Sequence, residues 1–310
     1  MRYLILVVFI ISSSLSAQTI TKDSRDISVS PYIDGTILVP KTTTAPDLAI
    51  IIGGSGPTDR NGNQQMMENN SLRYLAEGLY KNGIASFRYD KRIVKQMKDR
   101  TINEESIRFD DFIKDAKDVV RYFKRANSFA NIFIIGHSQG SLVGMVAAQE
   151  DVAGFVSIAG AGQSIDEVII TQLGNQAPEL QENATEAFDD LRANGSTTKH
   201  SPGLASIFRP AIQPFIRSWM LYNPQEELSK LNIPVLIING DNDIQVAVGE
   251  AEMLLKAKPG ATYKVIQNMN HVLKEIKSTD PLDNQKAYND YKMPVIPELI
   301  AEISNFIKQK

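Results

Sequence analysis

The clearest indication of the fold class is the segment Ile132-Phe133-Ile134-Ile135-Gly136-His137-Ser138-Gln139-Gly140. Its apolar start predicts a buried strand, and the G-x-S-x-G pattern that follows is typical of a sharp strand-to-helix turn that raises the Ser138 hydroxyl above the sheet. Gly140, Gly144 and Ala148 then recur at helical spacing, so the predicted helix has a face of small side chains that can pack closely on the sheet. We expect Ser138 to be a nucleophile; the alternative is a glycine turn with an idle serine.

Short apolar runs alternate with amphipathic stretches along the rest of the chain. This alternation predicts an α/β fold with a mostly parallel central sheet flanked by helices. The predicted parallel strands are Leu48–Ile52, Ile84–Tyr89, Ile132–Ile135, Phe155–Ala159, Val235–Asn239 and Thr262–Ile266, after an antiparallel hairpin of Ser24–Val29 and Gly35–Val39. Apolar stripes at a spacing of about 3.6 residues predict helices over 72–79, 109–123 and 295–307.

The N-terminal segment, residues 1–17, has the pattern of a secretory signal peptide. Arg2 is followed by an apolar run and then by small residues up to Ala17. Because that run is too short to span a bilayer, we expect export to the periplasm or the medium without a stable membrane anchor. The alternative is a buried first strand.

The segment 163–232 interrupts the alternation, because it contains helical patches but no convincing strand. It is too long for a plain loop, so we expect a helical lid inserted between two parts of the core, residues 18–162 and 233–310. The lid carries Phe215, Trp219 and Met220. Our hypothesis is that these side chains bind substrate as part of an acyl pocket; the alternative is a small core for the lid itself.

Composition removes several classes of chemistry. The chain has no cysteine, which excludes disulfides, thiolate metal sites and cysteine nucleophiles. Its 33 basic and 36 acidic side chains are nearly balanced, so nothing points to a nucleic-acid partner. We predict no metal site. Only three histidines, His137, His200 and His271, could serve as a base for a serine nucleophile.

Position along the chain selects one of these histidines. His137 lies on the turn itself, which favours a structural role, and His200 lies in the predicted lid. His271 follows the last predicted strand, at the sheet edge where α/β folds bind ligands, so we expect it to be the base. Asp243, after the preceding strand, is the expected orienting acid, and Asp241 is the alternative.

The segment Ile52-Gly53-Gly54-Ser55-Gly56-Pro57-Thr58-Asp59-Arg60 follows the first central strand. Its glycines let backbone amides come close to a substrate. Acyl transfer needs such donors for the developing oxyanion, and we predict the N–H groups of Ser55 and Gln139. No nucleotide-binding motif is present, and we predict no cofactor.

Taken together, these segments resemble the bacterial serine esterases of the α/β-hydrolase superfamily that carry a G-S-G-P-x-D-R-x-G-N segment and a helical lid. The matching segments are Gly54–Asn63, Arg88–Arg92, Gly136–Gly140, Gly240–Asp243 and Asn270–Lys274. The chain departs from the pattern at Ile93, where a glycine-rich turn is usual, and at Gly53, where many wider relatives have histidine.

The resemblance implies hydrolysis of small-molecule carboxylic esters with small, fairly apolar acyl groups and no cofactor. A peptidase or acyltransferase with the same triad, and a non-catalytic binding protein on this scaffold, are the alternatives. Asp59, Arg60, Asp90 and Arg92 form either a polar network beneath the site or a solvated run of charges. The sequence does not predict the oligomeric state.

Overall fold

The computed structural model describes residues 23–41, 45–278 and 280–309, so the predicted signal peptide lies outside the described residues. Its centre is one eight-stranded sheet in the order β1-β2-β4-β3-β5-β6-β7-β8. The strands are β1 Ser24–Ser30, β2 Ile33–Leu38, β3 Leu48–Ile52, β4 Ala85–Tyr89, β5 Ile132–His137, β6 Gly154–Ile158, β7 Val235–Gly240 and β8 Thr262–Ile266. The pairs β1–β2 and β2–β4 are antiparallel, and all the others are parallel. The predicted fold class is confirmed.

Both faces of the sheet are buried, as its apolar strands require. In β3, Leu48, Ile50 and Ile52 enter one hydrophobic core, whereas Ala49 and Ile51 enter the other. This division follows from the alternation of side chains along a strand.

Helices cover the two faces. The helices outside 163–232 are α1 Ser71–Lys81, α2 Arg92–Lys98, α3 Phe109–Ala126, α4 Gln139–Ala147, α10 Val248–Ala257, α11 Pro281–Ala287 and α12 Pro297–Lys308. The cores show that α3, α4 and α10 pack on one face, and α1 and α12 on the other. The three predicted helices therefore form, with ends that differ by a few residues.

Residues 163–232 contain helices and no strand. These helices are α5 Ile165–Gln176, α6 Pro178–Asn194, α7 Ala205–Phe208, α8 Gln213–Trp219 and α9 Pro224–Ser229. A 3₁₀ turn lies within the segment at Pro202–Leu204, and another lies outside it at Glu104–Ser106. A separate apolar cluster around Phe188 and Phe208 holds the segment together. The segment joins the main core through Trp219, which stacks on Phe109 with ring centroids 5.3 Å apart. Within the described ranges, no helix is long and apolar enough to cross a bilayer.

Candidate active site

Ser138 lies on the predicted sharp turn between β5 and α4. Its φ of 54° and ψ of −124° are unusual for a residue with a side chain, and its N–H donates to the Ile158 carbonyl at 2.9 Å. A Cβ at Gly136 would lie 2.3 Å from the Gly140 carbonyl oxygen, and one at Gly140 would lie 2.4 Å from the Ile52 carbonyl oxygen. The turn therefore requires glycine at both flanking positions.

His271 and Asp243 form a buried pair in the loops that follow β8 and β7. The His271 Nδ1–H donates to Asp243 Oδ2 at 2.8 Å, and both side chains are almost fully buried. The second carboxylate oxygen, Oδ1, accepts the backbone N–H groups of Gln245 at 2.8 Å and Val246 at 2.9 Å. With its proton on Nδ1, the imidazole presents an unprotonated Nε2 that can act as a base.

Ser138 and His271 line the same cavity, which has a volume of about 370 Å³. Among the described residues, neither the Ser138 hydroxyl nor His271 Nε2 makes a hydrogen bond, to the other or to any third group. Catalytic hydrogen bonds of this kind commonly tighten only when substrate is bound. The structure therefore brings the predicted nucleophile, base and acid to one edge of the sheet, with the base and acid directly bonded.

The remaining candidates for base and acid lie in other surroundings. His200 stacks on Phe208 within the 163–232 segment, with ring centroids 5.7 Å apart. Asp241 accepts the backbone N–H of Asn268 at 2.6 Å, and within the described part of the chain it forms neither a hydrogen bond nor an ion pair with His271. Asp241 thus stabilises a turn, as Asp side chains commonly do by accepting a nearby backbone N–H group.

His137 has a structural role that the sequence did not specify. Its Nε2–H donates to the backbone carbonyl of His271 at 2.8 Å, and the two imidazole rings lie 4.9 Å apart. Burial, followed by repulsion from His271, lowers the pKa of His137 to about 4. A neutral His137 therefore holds the loop that carries His271 against the serine turn.

The predicted oxyanion donors also meet at Ser138. A Cβ placed on Gly54 would lie 3.2 Å from Ser138 Cβ, so the segment after β3 approaches the serine closely. Ser55 and Gln139 line a second cavity together with Ser138. Neither of their backbone N–H groups has a hydrogen-bond partner among the described residues, as a site for an incoming oxyanion requires.

Lys91 lies behind this pair of donors, and no role was expected for it from the sequence. Its ammonium donates to the Gly54 carbonyl at 2.9 Å and to Gln139 Oε1 at 2.6 Å. It also sits over the Phe112 ring, 4.4 Å from the centroid. The resemblance included Lys91 among its matching residues, but the two acceptors come from distant parts of the chain, and their meeting is a tertiary contact.

The four charged residues considered as a network belong to separate clusters. Arg60 forms a bidentate ion pair with Asp90, in which Nη2 donates to Oδ2 at 2.7 Å and Nε donates to Oδ1 at 3.1 Å. Arg92 pairs in the same way with Asp115. Asp59 instead accepts backbone N–H groups of its own loop. Neither a single network nor a solvated charge run describes them, because the pairs are largely buried and separate.

The second cavity has a volume of about 180 Å³ and is lined by apolar and polar side chains in similar proportion. Trp219 lines it, as do Leu142, Ile165 and Val168. Phe215 and Met220 do not line either cavity at Ser138. They pack instead into the apolar cluster of the 163–232 segment, with Phe215 also against α3. Both side chains are only partly buried, and for Phe215 and Met220 the substrate-binding role stays a prediction.

No cluster of three or more His, Asp or Glu side chains that could hold a metal ion occurs in residues 23–41, 45–278 and 280–309.

The sheet order, the serine turn after β5 and the acid and histidine after β7 and β8 define the α/β-hydrolase fold. A family profile described as serine aminopeptidase, S33, matches residues 67–202, less than half of the chain. Esterase EstD of Thermotoga maritima is 28% identical over 257 residues, which are 81% of this chain and 60% of that protein. This chain thus spans less than two thirds of that relative.

Two solved structures share the fold. Est1E from Butyrivibrio proteoclasticus has a TM-score of 0.55 at 18% identity, covering 86% of this chain and 96% of its own. An esterase of Pyrococcus furiosus has a TM-score of 0.54 at 16% identity, covering 92% of this chain and 90% of its own. At such identities these similarities establish the architecture, and the activity has to be argued from the site.

Proposed function

We propose that this protein is a serine hydrolase that cleaves carboxylic esters with small, fairly apolar acyl groups. The observation that carries the proposal is the bonded His271–Asp243 pair at the cavity that also contains Ser138 on its strained turn. The similarity to an esterase over most of the chain supports the same class.

The proposed mechanism is acyl transfer through a covalent intermediate. His271 Nε2 takes the hydroxyl proton as Ser138 attacks the ester carbonyl, and Asp243 stabilises the imidazolium that forms. The N–H groups of Ser55 and Gln139 bind the oxyanion of the tetrahedral intermediate. The imidazolium then protonates the leaving alcohol, and a water molecule activated by His271 releases the acid from Ser138. No step requires a cofactor.

The two cavities receive the two parts of the ester. Because His271 must protonate the leaving oxygen, the alcohol occupies the 370 Å³ cavity, which His271 lines. The acyl group then occupies the 180 Å³ cavity, which lies on the Gln139 side and is bounded by apolar side chains, including Trp219. Several of its walls, such as Ile165, come from residues 163–232, which supports the proposal that this segment is a lid.

The description of the matching family as aminopeptidases makes that activity the second candidate. An aminopeptidase has to bind the α-ammonium group of its substrate, and a carboxylate is the usual partner for a buried ammonium. Among the described residues that line the two cavities, none is aspartate or glutamate. This lining favours uncharged acyl groups and therefore esterase activity.

Labelling with a fluorophosphonate tests the proposal. We expect the wild-type protein to be labelled and Ser138→Ala to remain unlabelled. A series of aryl esters of increasing acyl length, compared with an aminoacyl anilide, then distinguishes the two candidates. We expect short-chain esters to be cleaved and the anilide to be inert. An unlabelled wild-type protein would contradict the serine-hydrolase proposal. Rapid cleavage of the anilide would mean that the enzyme is a peptidase rather than an esterase.

A separate proposal concerns the cellular location of the protein and rests on residues 1–17. Their charge and apolar pattern supports export of the protein to the periplasm or the medium. Cell fractionation of the full-length chain and of a chain that lacks these residues tests this. Equal retention of both in the cytoplasm would contradict it.

A further inference from the structure

Lys91 is a buried ammonium that no carboxylate accompanies. Its side chain is 5% exposed, and no acidic residue within 23–41, 45–278 and 280–309 forms an ion pair with it. Burial lowers its pKa to about 7. Removing a charge from water without an opposite charge nearby destabilises the folded state, so a lysine at this position needs a reason. Its contacts show what the lysine does there.

Both hydrogen-bond acceptors of Lys91 belong to the predicted oxyanion site. The first is the carbonyl oxygen of Gly54, at 2.9 Å, and the second is the side-chain oxygen of Gln139, at 2.6 Å. Gly54 precedes Ser55, and Gln139 itself supplies the other backbone donor. One ammonium therefore joins the segment after β3 to the first residue of α4.

The contact with Gly54 acts on a donor directly through the peptide bond. The Gly54 carbonyl and the Ser55 N–H belong to one planar peptide unit, which is trans, so they point in opposite directions. An ammonium held at the oxygen therefore fixes the direction of the N–H. It also polarises the peptide, because hydrogen bonds in a chain strengthen one another. The Ser55 N–H becomes a better-oriented and stronger donor to an oxyanion.

The contact with Gln139 fixes the position of the second donor relative to the first. Gln139 begins α4, where the helix leaves its first N–H groups without partners inside the helix. Its side chain is buried and turned back toward Lys91. One cation thus links the two segments that carry these N–H groups, in addition to the pairing of β3 with β5.

We propose that Lys91 is a positioning residue that holds the Ser55 and Gln139 amides in the geometry of the oxyanion. The inference rests on the proposed serine-hydrolase function and adds to it a residue that does not touch substrate. Its action is confined to the tetrahedral intermediate and the transition states on either side of it, because the oxyanion exists only there.

The variant Lys91→Met tests the proposal, since methionine keeps the unbranched shape and removes all donors. We expect kcat for a short-chain aryl ester to fall at least tenfold, with KM within about twofold of the wild-type value. The inhibition constant of a trifluoromethyl ketone, which forms an oxyanion on the serine, should rise in parallel with the loss of kcat/KM. An unchanged kcat in a folded variant would overturn the proposal.

Lys274 provides a matched control. It is also fully buried, donates to the backbone carbonyls of Asn69 and Met293, and lies over the Tyr74 ring. Its acceptors are not part of the peptide that carries the Ser55 N–H. Lys274→Met should therefore lower stability while kcat changes less than threefold. An equal loss of kcat in both variants would mean that Lys91 acts only through stability, and it would overturn the positioning role.

A second variant covers the case in which Lys91→Met does not fold. Gln139→Met removes one acceptor of the ammonium but leaves the backbone N–H in place. We expect kcat to fall by about threefold or more at constant KM, and an unchanged kcat would overturn the joint positioning of both donors. If the wild-type protein hydrolyses no ester, the proposed function itself is refuted. The variants test only the positioning role, because they are compared with an active wild type.

Discussion

The burial of Lys91 leads to a prediction about stability and pH. The lysine has a pKa of about 7 in the folded protein and an ordinary value of 10.5 when exposed. Between these values the unfolded chain holds a proton that the folded protein has lost. Stability therefore rises with pH in this window, and the cost of the buried ammonium is fully present below it. Lys91→Met removes this dependence because methionine does not titrate.

The magnitude follows from the two pKa values. One proton of difference corresponds to a slope of about 1.4 kcal/mol per pH unit in the middle of the window. Partial titration near its lower end reduces the slope there. Integrated from about pH 7 to about pH 9, the free energy of unfolding of the wild type should gain about 2 kcal/mol relative to Lys91→Met.

Urea denaturation at a series of pH values measures this difference directly. The quantity to compare is the wild-type free energy of unfolding minus that of the variant, because all other titrating groups cancel. Lys274→Met is the control: its lysine is less strongly shifted, to a pKa of about 8, so the corresponding difference should be smaller. If the wild-type-minus-Lys91→Met difference stays flat across this range, Lys91 does not lose its proton there in the folded protein.

Three further predictions concern the site. Trp219→Ala enlarges the 180 Å³ cavity, so the preferred acyl chain in the aryl-ester series should lengthen, and an unchanged preference would remove Trp219 from the acyl pocket. Gly140→Ala places a Cβ 2.4 Å from a carbonyl oxygen of β3, so kcat should fall at least a hundredfold, whereas Gly249→Ala, which meets nothing within 4 Å, should be fully active. Asp243→Asn should lower kcat by about 10⁴-fold by disturbing the imidazole tautomer, and Asp241→Asn should leave it near the wild-type value; similar losses in both would contradict the assignment of the acid.

The sequence predicts the strands and the serine turn because both depend on local signals. A run of apolar residues marks each central strand, and steric requirements place glycine on both sides of Ser138. The positions of Asp243 and His271 follow from one topological rule, since the carboxyl ends of parallel strands meet at the same edge of a sheet. Knowledge of strand order is therefore enough to bring residues from three distant segments together.

The side-chain directions in the 163–232 segment could not be obtained in this way. Helix α8 spans Gln213–Trp219, which is too short for a hydrophobic period to define one face. Phe215 and Trp219 are four residues apart, so they share a side of the helix, yet only Trp219 of the two reaches a cavity. The way α8 packs against α3, through Phe109–Trp219 and Phe112–Phe215 contacts, is a property of the tertiary structure that a sequence pattern does not show.

The roles of His137 and Lys91 escape sequence analysis for a related reason, since each acts on a backbone carbonyl. A carbonyl is present at every residue, so no residue type or spacing marks the acceptor. In the fold, His137 binds the carbonyl of the residue that carries the proposed base, and Lys91 binds the carbonyl that precedes a proposed oxyanion donor. The burial that lowers the pKa of Lys91 is also what lets its ammonium act on the Gly54–Ser55 peptide without competition from water. Relative to Lys91→Met, loss of that charge with rising pH should therefore raise the stability of the wild type while it lowers its kcat, a combination that a purely structural lysine would not produce.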